Sequence, residues 1–476
     1  MNKIDSQNWF IYLLAVIASL TGILLINFFS YNGIFIIIAL VLAFVIFGLI
    51  IKNSLWGFLL LIFSLPFERI PTIDVGLVTL KVNQFLALSV LIAWILSVIF
   101  EKRKIISNPL TWPIILFIFA NLISIFHAGN VERAFQVFIF IFFMAIISFL
   151  VVNMVSTEDI LKKVLKTILY TSIFICIFGV YQFFGDLIGL SSTLTGLKEG
   201  YTKAVFGFPR IMAFSNEPLY LANFLLIPLG VSAALFFSKD KFIPKIYLFL
   251  ILLLMLLVFI LTVSRGAYAG LGAMALFLIL FFLKKIFTWK NIVIGLLAIT
   301  IVLGGTYYFL SRAEPQALDE FIGHITVNDI SAGESTQGRL QSYQIAYDIF
   351  LDNPINGIGV GNYGPYVKNF PDSADVSGWD IVNNEYLEIM AETGLVGIIT
   401  FVLILLVIFF RSYMVYFRTK NEFLKTILLG LVAALIGVLV QYNFFSTLYI
   451  MHIWVLIGLI IAVQNISIND PLTNKQ

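Results

Sequence analysis

Runs of about 20 apolar residues recur along this chain, and that repetition narrows its fold more than any motif does. A segment of that length crosses roughly 30 Å of hydrocarbon, where only helices and closed barrels satisfy every backbone group. The runs are continuous rather than alternating, which selects helices over barrel strands. The balance agrees: 61% of residues are hydrophobic, 12% are charged, and 48 of the 476 are phenylalanine. The reading is an all-α, polytopic transmembrane helical bundle of about 12–14 spans with an outward-facing helical loop domain. Fourteen candidate spans lie near 9–29, 33–51, 54–66, 77–100, 110–127, 132–155, 160–185, 217–238, 243–264, 267–284, 291–310, 385–410, 424–445 and 448–464. The third is short for a crossing. The run from Phe10 to Phe29 is long for a signal peptide and lacks a small-residue cleavage site, so it reads as a first span. The lone Cys176 supplies no disulfide framework, and a net charge of +3 gives no reason to expect a nucleic-acid partner.

Positive charge sets the expected orientation. With an even number of spans and the N-terminus inside, most of the 29 lysines and arginines fall in short inner loops, and both termini are cytoplasmic. The long hydrophilic segments 186–216 and 311–384 then face outward. The chain divides into 1–185 (N-terminal spans), 186–310 (central spans and the arginine motifs), 311–384 (large extracytoplasmic loop) and 385–476 (C-terminal spans and tail). In the large loop, Thr336 to Leu351 has helical spacing, with Leu340, Tyr343, Ala346, Tyr347 and Phe350 on one side. Asn353-Pro354 stops that helix. The following "NGIGVGNY", with glycines at 357, 359 and 361, is either a tight turn or a cradle of backbone amides for an anion; no strand precedes it, so it is no dinucleotide fingerprint. No internal repeat or low-complexity tract is present.

Three outward-facing places could carry chemistry. Arg210 precedes a span opening at Glu217-Pro218, where proline suits the first turn and Ser215 or Asn216 can cap it. Arg265 lies in a turn between two apolar spans, where an arginine is costly unless it is paired, wet or snorkelling to headgroups; Gly266 and Gly270 beside it have the spacing of close helix packing. In "NNEYLEIMAETGLVGII", Glu385, Glu388 and Glu392 share one helix face at i, i+3 and i+7. The macrodipole accounts for the first two, but Glu392 sits about 10 Å further along and needs a partner or a wet cavity. Guanidinium forks match phosphate oxygens, and acids and amides opposite could hold sugar hydroxyls or accept a proton. A polyanionic lipid headgroup is therefore the expected ligand. A transporter would want ionisable groups at mid-span, and a nucleotide-sugar transferase an Asp-x-Asp pair; the sequence offers neither.

At these residues the chain resembles the O-antigen ligase and polymerase family of membrane glycosyltransferases. The resembling stretches are "RIMAFSNEPLYLANFL", "TVSRGAYAGL", "GRLQSYQIAYDIFLDNPINGIGVGNY" and "NNEYLEIMAETGLVGII", in family order between Arg210 and Ile399. The resemblance implies transfer of a glycan from undecaprenyl diphosphate to an acceptor hydroxyl at the outer leaflet of the cytoplasmic membrane. It implies no metal, nucleotide or other cofactor, and a flippase and a chain-length regulator as pathway partners. By that resemblance the essential arginines fall on Arg210 and Arg265, which would bind the diphosphate leaving group, and Arg339 matches a recurring arginine. Asn384 and Glu217 are further substrate-binding candidates, and Arg265 is a catalytic one as well. The family places a histidine where this chain has Asn383, so Asn383 and Glu385 become the candidates on the acceptor side, with Glu385 the nearest titratable group. His324 and His452 are poor substitutes by context. A polymerase of lipid-linked repeat units is the leading reading, ahead of a ligase.

Overall fold

The computed structural model describes residues 31–69, 72–74, 79–313, 334–368 and 380–470. The described residues are helical apart from one small ladder and the connecting loops. The longer helices are α1 (Tyr31–Lys52), α2 (Ser54–Ser64), α3 (Val82–Phe100), α4 (Thr111–Ser124), α5 (Val131–Met154), α6 (Glu158–Leu187), α7 (Pro218–Phe237), α8 (Lys245–Leu261), α9 (Arg265–Ile286), α10 (Trp289–Ala313), α11 (Glu334–Asp352), α12 (Glu385–Arg418), α13 (Glu422–Gln441) and α14 (Met451–Asn469). Nine helices among the described residues are long and apolar enough to cross a membrane, which makes this a multi-pass membrane protein. Thirteen of the fourteen expected spans coincide with helices; the one near 9–29 lies outside the described residues. The expected span 77–100 begins instead with a strand. Thr79–Lys81 (β2) pairs antiparallel with Thr72–Asp74 (β1), and helix starts only at Val82. Helix α2, at 11 residues, is about 16 Å long, half a bilayer core.

The chain forms two compact units. The smaller holds α1, most of α2 and most of α3. Asn53 breaks α1 from α2 and caps the latter by accepting the Trp56 N–H at 3.1 Å. Gly57 lets α2 close on α1, since a Cβ there would fall 2.7 Å from the Ile50 side chain.

The larger unit carries everything else. Its centre is α7, α13 and α14, whose most apolar windows are 83%, 78% and 83% buried, whereas α10 is only 11% buried and presents its side chains outward. Glycine pairs set how closely the central helices cross. A Cβ on Gly230 of α7 would sit 2.5 Å from the Gly430 carbonyl of α13. One on Gly270 of α9 would sit 2.6 Å from the Gly437 carbonyl, also of α13, and one on Gly266 would meet Phe444 at 2.7 Å. The spacing at 266 and 270 therefore does serve packing.

A small cap stands on α12. The helix expected at 336–351 runs from Glu334 to Asp352, but its buried stripe is rotated from the expected one. Ala346 and Ile349 are buried and Tyr343 is half-buried, while Leu340 and Tyr347 are 60% and 45% exposed. The rotation follows from what covers the helix: Ala346 and Ile349 pack with Ile358, Tyr363, Val367, Val382 and Ala391, which come from the glycine turn and the start of α12.

The glycine crossings generate a paired expectation. Gly270→Val should leave little folded protein after detergent extraction and cost at least the ~1–3 kcal/mol of an overpacked core, because the carbonyl it meets is backbone. Gly272→Val, with nothing within 4 Å of its Cβ position, should extract and melt like wild type. Thermal melting of both variants by size-exclusion retention checks this, and equal behaviour would refute the crossing as the determinant.

Candidate functional site

Helices α7, α9 and α12 all start at one end of the larger unit. The loop before α7 is held there by backbone and side-chain bonds. Gln182 of α6, fully buried, accepts the Ala213 N–H at 2.7 Å and donates to the Ala213 carbonyl at 3.3 Å. The Ile211 N–H reaches the Leu261 carbonyl at the end of α8. The turn after α2 clamps the same loop from the other side: Glu68 and Arg69 N–H groups both donate to the Phe214 carbonyl, and the Arg69 guanidinium donates to the Gly196 carbonyl.

Arg210 projects from this loop. Its Nη2 donates to the Val263 carbonyl at 3.0 Å, and its guanidinium lies 5.6 Å from the centroid of the Tyr201 ring. Burial pulls the Arg210 pKa below the usual arginine value, Tyr201, Tyr268 and Glu217 oppose that shift, and Arg265 adds to it. The two arginines are thus electrostatic neighbours. Arg265 is the first residue of α9, whose first turn holds no acid and whose N-terminus has no side-chain cap. The positive end of that helix dipole therefore adds to the two guanidiniums. Glu217 sits at the N-cap position of α7; burial raises its pKa, against the pull of Lys198, Arg210 and Arg339. Arg210, Arg265, Arg339 and Glu217 are brought together across about 130 residues of chain (339 less 210). Lys198, which itself feels Arg69, joins them and had no motif to announce it.

The acidic stripe opens α12 but does not line one straight helix. At Gly394, φ is 65° and ψ −160°, so α12 breaks there into an acidic half-helix and an apolar one. All three carboxylates of the first half are buried and engaged. Glu385 Oε2 accepts the Thr447 and Leu448 N–H groups at 2.6 and 2.9 Å. Glu388 accepts from Ser446 Oγ, Tyr449 OH and the Val382 N–H. Glu392 accepts the Gly361 N–H at 2.7 Å and the Tyr363 N–H at 3.0 Å. The glycine turn does cradle a group with its backbone amides, and that group is the Glu392 carboxyl. Arg133, at the start of α5, is a cationic neighbour of both Glu388 and Glu392.

Asn384 caps the half-helix by accepting the Leu387 N–H at 3.1 Å. Asn383 before it has φ 58°, a left-handed conformation in which asparagine and histidine are both enriched. That backbone requirement explains how asparagine can stand where the resembled family has histidine. Tyr343 of the cap donates to the carbonyls of Asn383 and Asn443, at 3.1 and 2.6 Å. Arg339, one helical turn earlier, lowers the Tyr343 pKa that burial raises.

Tyr220 joins the cationic and acidic halves, for it feels Glu68, Glu217, Glu385 and Glu388 together. Glu68 is the residue that motif reading missed. It is buried in the turn after α2, and burial pushes its carboxyl up to about 7 against the pull of Lys81 and the Asn216 N–H. His452 Nδ1 lies 3.6 Å from Glu68 Oε1, and its Nε2 lies 2.7 Å from Asn223 Oδ1. Asn223 in turn donates to Gln441 at 2.6 Å. His452 is therefore a fully buried member of an internal chain. His324 lies outside the described residues. No group of three His, Cys, Asp or Glu side chains that could hold a metal ion occurs among the described residues.

A relative from Haemophilus influenzae, described as an uncharacterized protein, is 25% identical over 231 residues, which is 45% of this chain and 56% of the relative's length. Residues 250–402 match the family model described as O-Antigen ligase. The match takes in Arg265, Arg339, the glycine turn and the Asn383–Glu385 helix start, and supports the O-antigen ligase/polymerase family for this chain.

Proposed function

We propose that this protein polymerises undecaprenyl-diphosphate-linked oligosaccharide repeats into a surface polysaccharide at the outer face of the cytoplasmic membrane. The family match supports an O-antigen ligase-type, glycan-transferring function in the membrane. The observation that carries the finer reading is the convergence of Arg210 and Arg265 at the uncapped N-terminus of α9, beside Glu217 and Arg339. Such a site suits a group with two phosphates at the end of a lipid. Attack by an acceptor hydroxyl on the anomeric carbon breaks the bond to the diphosphate oxygen, and the leaving diphosphate keeps the electron pair. Two guanidiniums and a helix dipole stabilise the charge that develops there. Asn383 and Asn384 line the acceptor side, and Glu385, whose Oε2 is taken by two amides, receives the acceptor proton on Oε1. A ligase would use the same bond cleavage, and the description of the matching family favours it as the second reading. The purified protein with lipid-linked repeat alone decides between them: a ladder of products supports the polymerase, while transfer only to an added acceptor supports the ligase.

Arg265→Ala should abolish product with the amount of folded protein unchanged, and Arg265→Lys should recover little, because a point charge loses the bidentate fork. Near-normal activity of the lysine variant would refute a fitted diphosphate site. Arg210→Ala should behave alike, and the double variant should be no worse than either single one, because both act on one leaving group.

Activity should persist under exhaustive chelation, since the cationic side chains offset the diphosphate charge. Loss restored by magnesium or manganese would overturn that account.

Glu385→Gln should lower the transfer rate by about 10²–10⁴-fold, the usual worth of a general base, with donor binding intact. A loss below tenfold in folded protein would leave Glu385 only its anchoring of Thr447 and Leu448. Asn383→His should fold, since the left-handed backbone accepts it, and its rate should inflect near a pH of about 6.5.

A further inference from the structure

A cavity of about 640 Å³ opens at the other end of the bundle from the arginines. Helix α8 runs from Lys245 to Leu261, and α9 returns from Arg265 to Ile286. The cavity and the arginine site are therefore separated by about 25 Å, the length of α8 at 1.5 Å per residue. Lys245, Lys284, Lys285 and Lys290 line it, with Phe249 and Leu297 among its apolar walls. No Asp or Glu lines it among the described residues.

Lysines at a span end are expected from orientation alone, but orientation does not require them to share one walled space. Here Lys285 repels Lys245, which Asp240 attracts. Lys245 Nζ also donates to the Leu235 and Ser238 carbonyls at the end of α7, the second at 2.9 Å, which fixes its charge at the cavity. Leu297 belongs to α10, the helix with most of its surface outside the protein core, so an occupant can enter sideways from the bilayer. The site thus offers four ammonium groups to an anion and an apolar, laterally open wall to a chain.

We propose that this cavity binds an anionic phospholipid, its phosphate among the four lysines and an acyl chain against Phe249 and Leu297. The purified full-length protein, delipidated in detergent, would be titrated with phosphatidylglycerol or phosphatidylcholine. Bound lipid would be counted by native mass spectrometry and the melting midpoint followed. One molecule of phosphatidylglycerol should be retained and should raise the midpoint, with phosphatidylcholine at least tenfold weaker. The variant Lys284→Gln/Lys285→Gln/Lys290→Gln should lose that preference, with Lys245 left in place because it caps α7. Leu297→Trp, which crowds the apolar wall and spares every charge, should weaken it too. Equal retention of the two lipids by wild type would overturn the proposal, and that comparison stands even if a variant fails to fold. An undiminished preference in Leu297→Trp would also overturn it, by reducing the site to surface charge. So would equal stabilisation by inorganic phosphate, or tighter retention of a polyprenyl phosphate than of phosphatidylglycerol.

Discussion

A helix that breaks where it enters a bilayer must find new partners for its freed backbone groups, and the arrangement at Gly394 depends on how this chain meets that demand. The turn after α11 supplies the partners. Leu395 and Val396 donate to the carbonyls of Pro354 and Ile355, while Ile358 and Gly359 donate to the carbonyls of Ala391 and Glu392. Irregular backbone at such depth is tolerated only inside protein, and this insertion is how the protein surrounds it. Two glycines permit the approach. Gly357 lies against the Glu392 backbone and Gly394 against the Ile355 carbonyl, both at positive φ, where any Cβ would collide. The Glu392 carboxylate completes the join by taking the Gly361 and Tyr363 N–H groups. The cap helix α11 is thereby fixed to α12, and Arg339 and Tyr343 are delivered to the site as one piece.

Three residues outside glycine hold left-handed backbone within the three motifs: Ala213, Val263 and Asn383, with φ of 46°, 46° and 58°. For β-branched valine this conformation is an outlier, and such strain persists only where surrounding bonds over-determine it. The bonds are visible. Gln182 grips Ala213 at both its N–H and its carbonyl, and the Val263 carbonyl takes the Arg210 guanidinium. Strain in one motif therefore orients the cation of another. Arg210 is aimed by backbone geometry, not merely placed near Arg265 by the helices.

The span pattern was legible because hydrocarbon length and apolar periodicity are local properties. The start at Pro218 followed from proline chemistry and that at Glu385 from its acidic first turn, whereas Arg265, expected in a turn before a span at 267, is itself the first residue of α9. The strand at Thr79–Lys81 was hidden because an apolar run with β-branched residues reads equally as the start of a span. The cap's buried stripe was misjudged since Leu340 and Tyr347 look like core in sequence, and only the glycine turn decides which side is covered. The arginines and the glutamates were found from charge in apolar context. Their partners were not. Gln182, Arg133 and Glu68 come from distant segments, and a single buried glutamine or glutamate has no periodicity to reveal it. The break at Gly394 was equally silent, for an isolated glycine in a helical pattern is usually tolerated.

The charge balance of the site also says how a diphosphate would be received. Glu217 stands among Lys198, Arg210 and Arg339, and burial still leaves its pKa above the ordinary carboxylate value. The carboxyl thus keeps its proton to higher pH in the protein than in water. A diphosphate arriving among the same cations, as under the proposed function, would add negative charge beside Glu217 and push in the same direction. Donor binding and proton uptake at Glu217 are then linked, and linkage is reciprocal: whatever protonates Glu217 favours the donor, and departure of the diphosphate favours the ionised carboxylate, which returns to the cations as their internal counterion. On this account the acid holds Lys198, Arg210 and Arg339 together while no substrate is present, and yields them when one arrives.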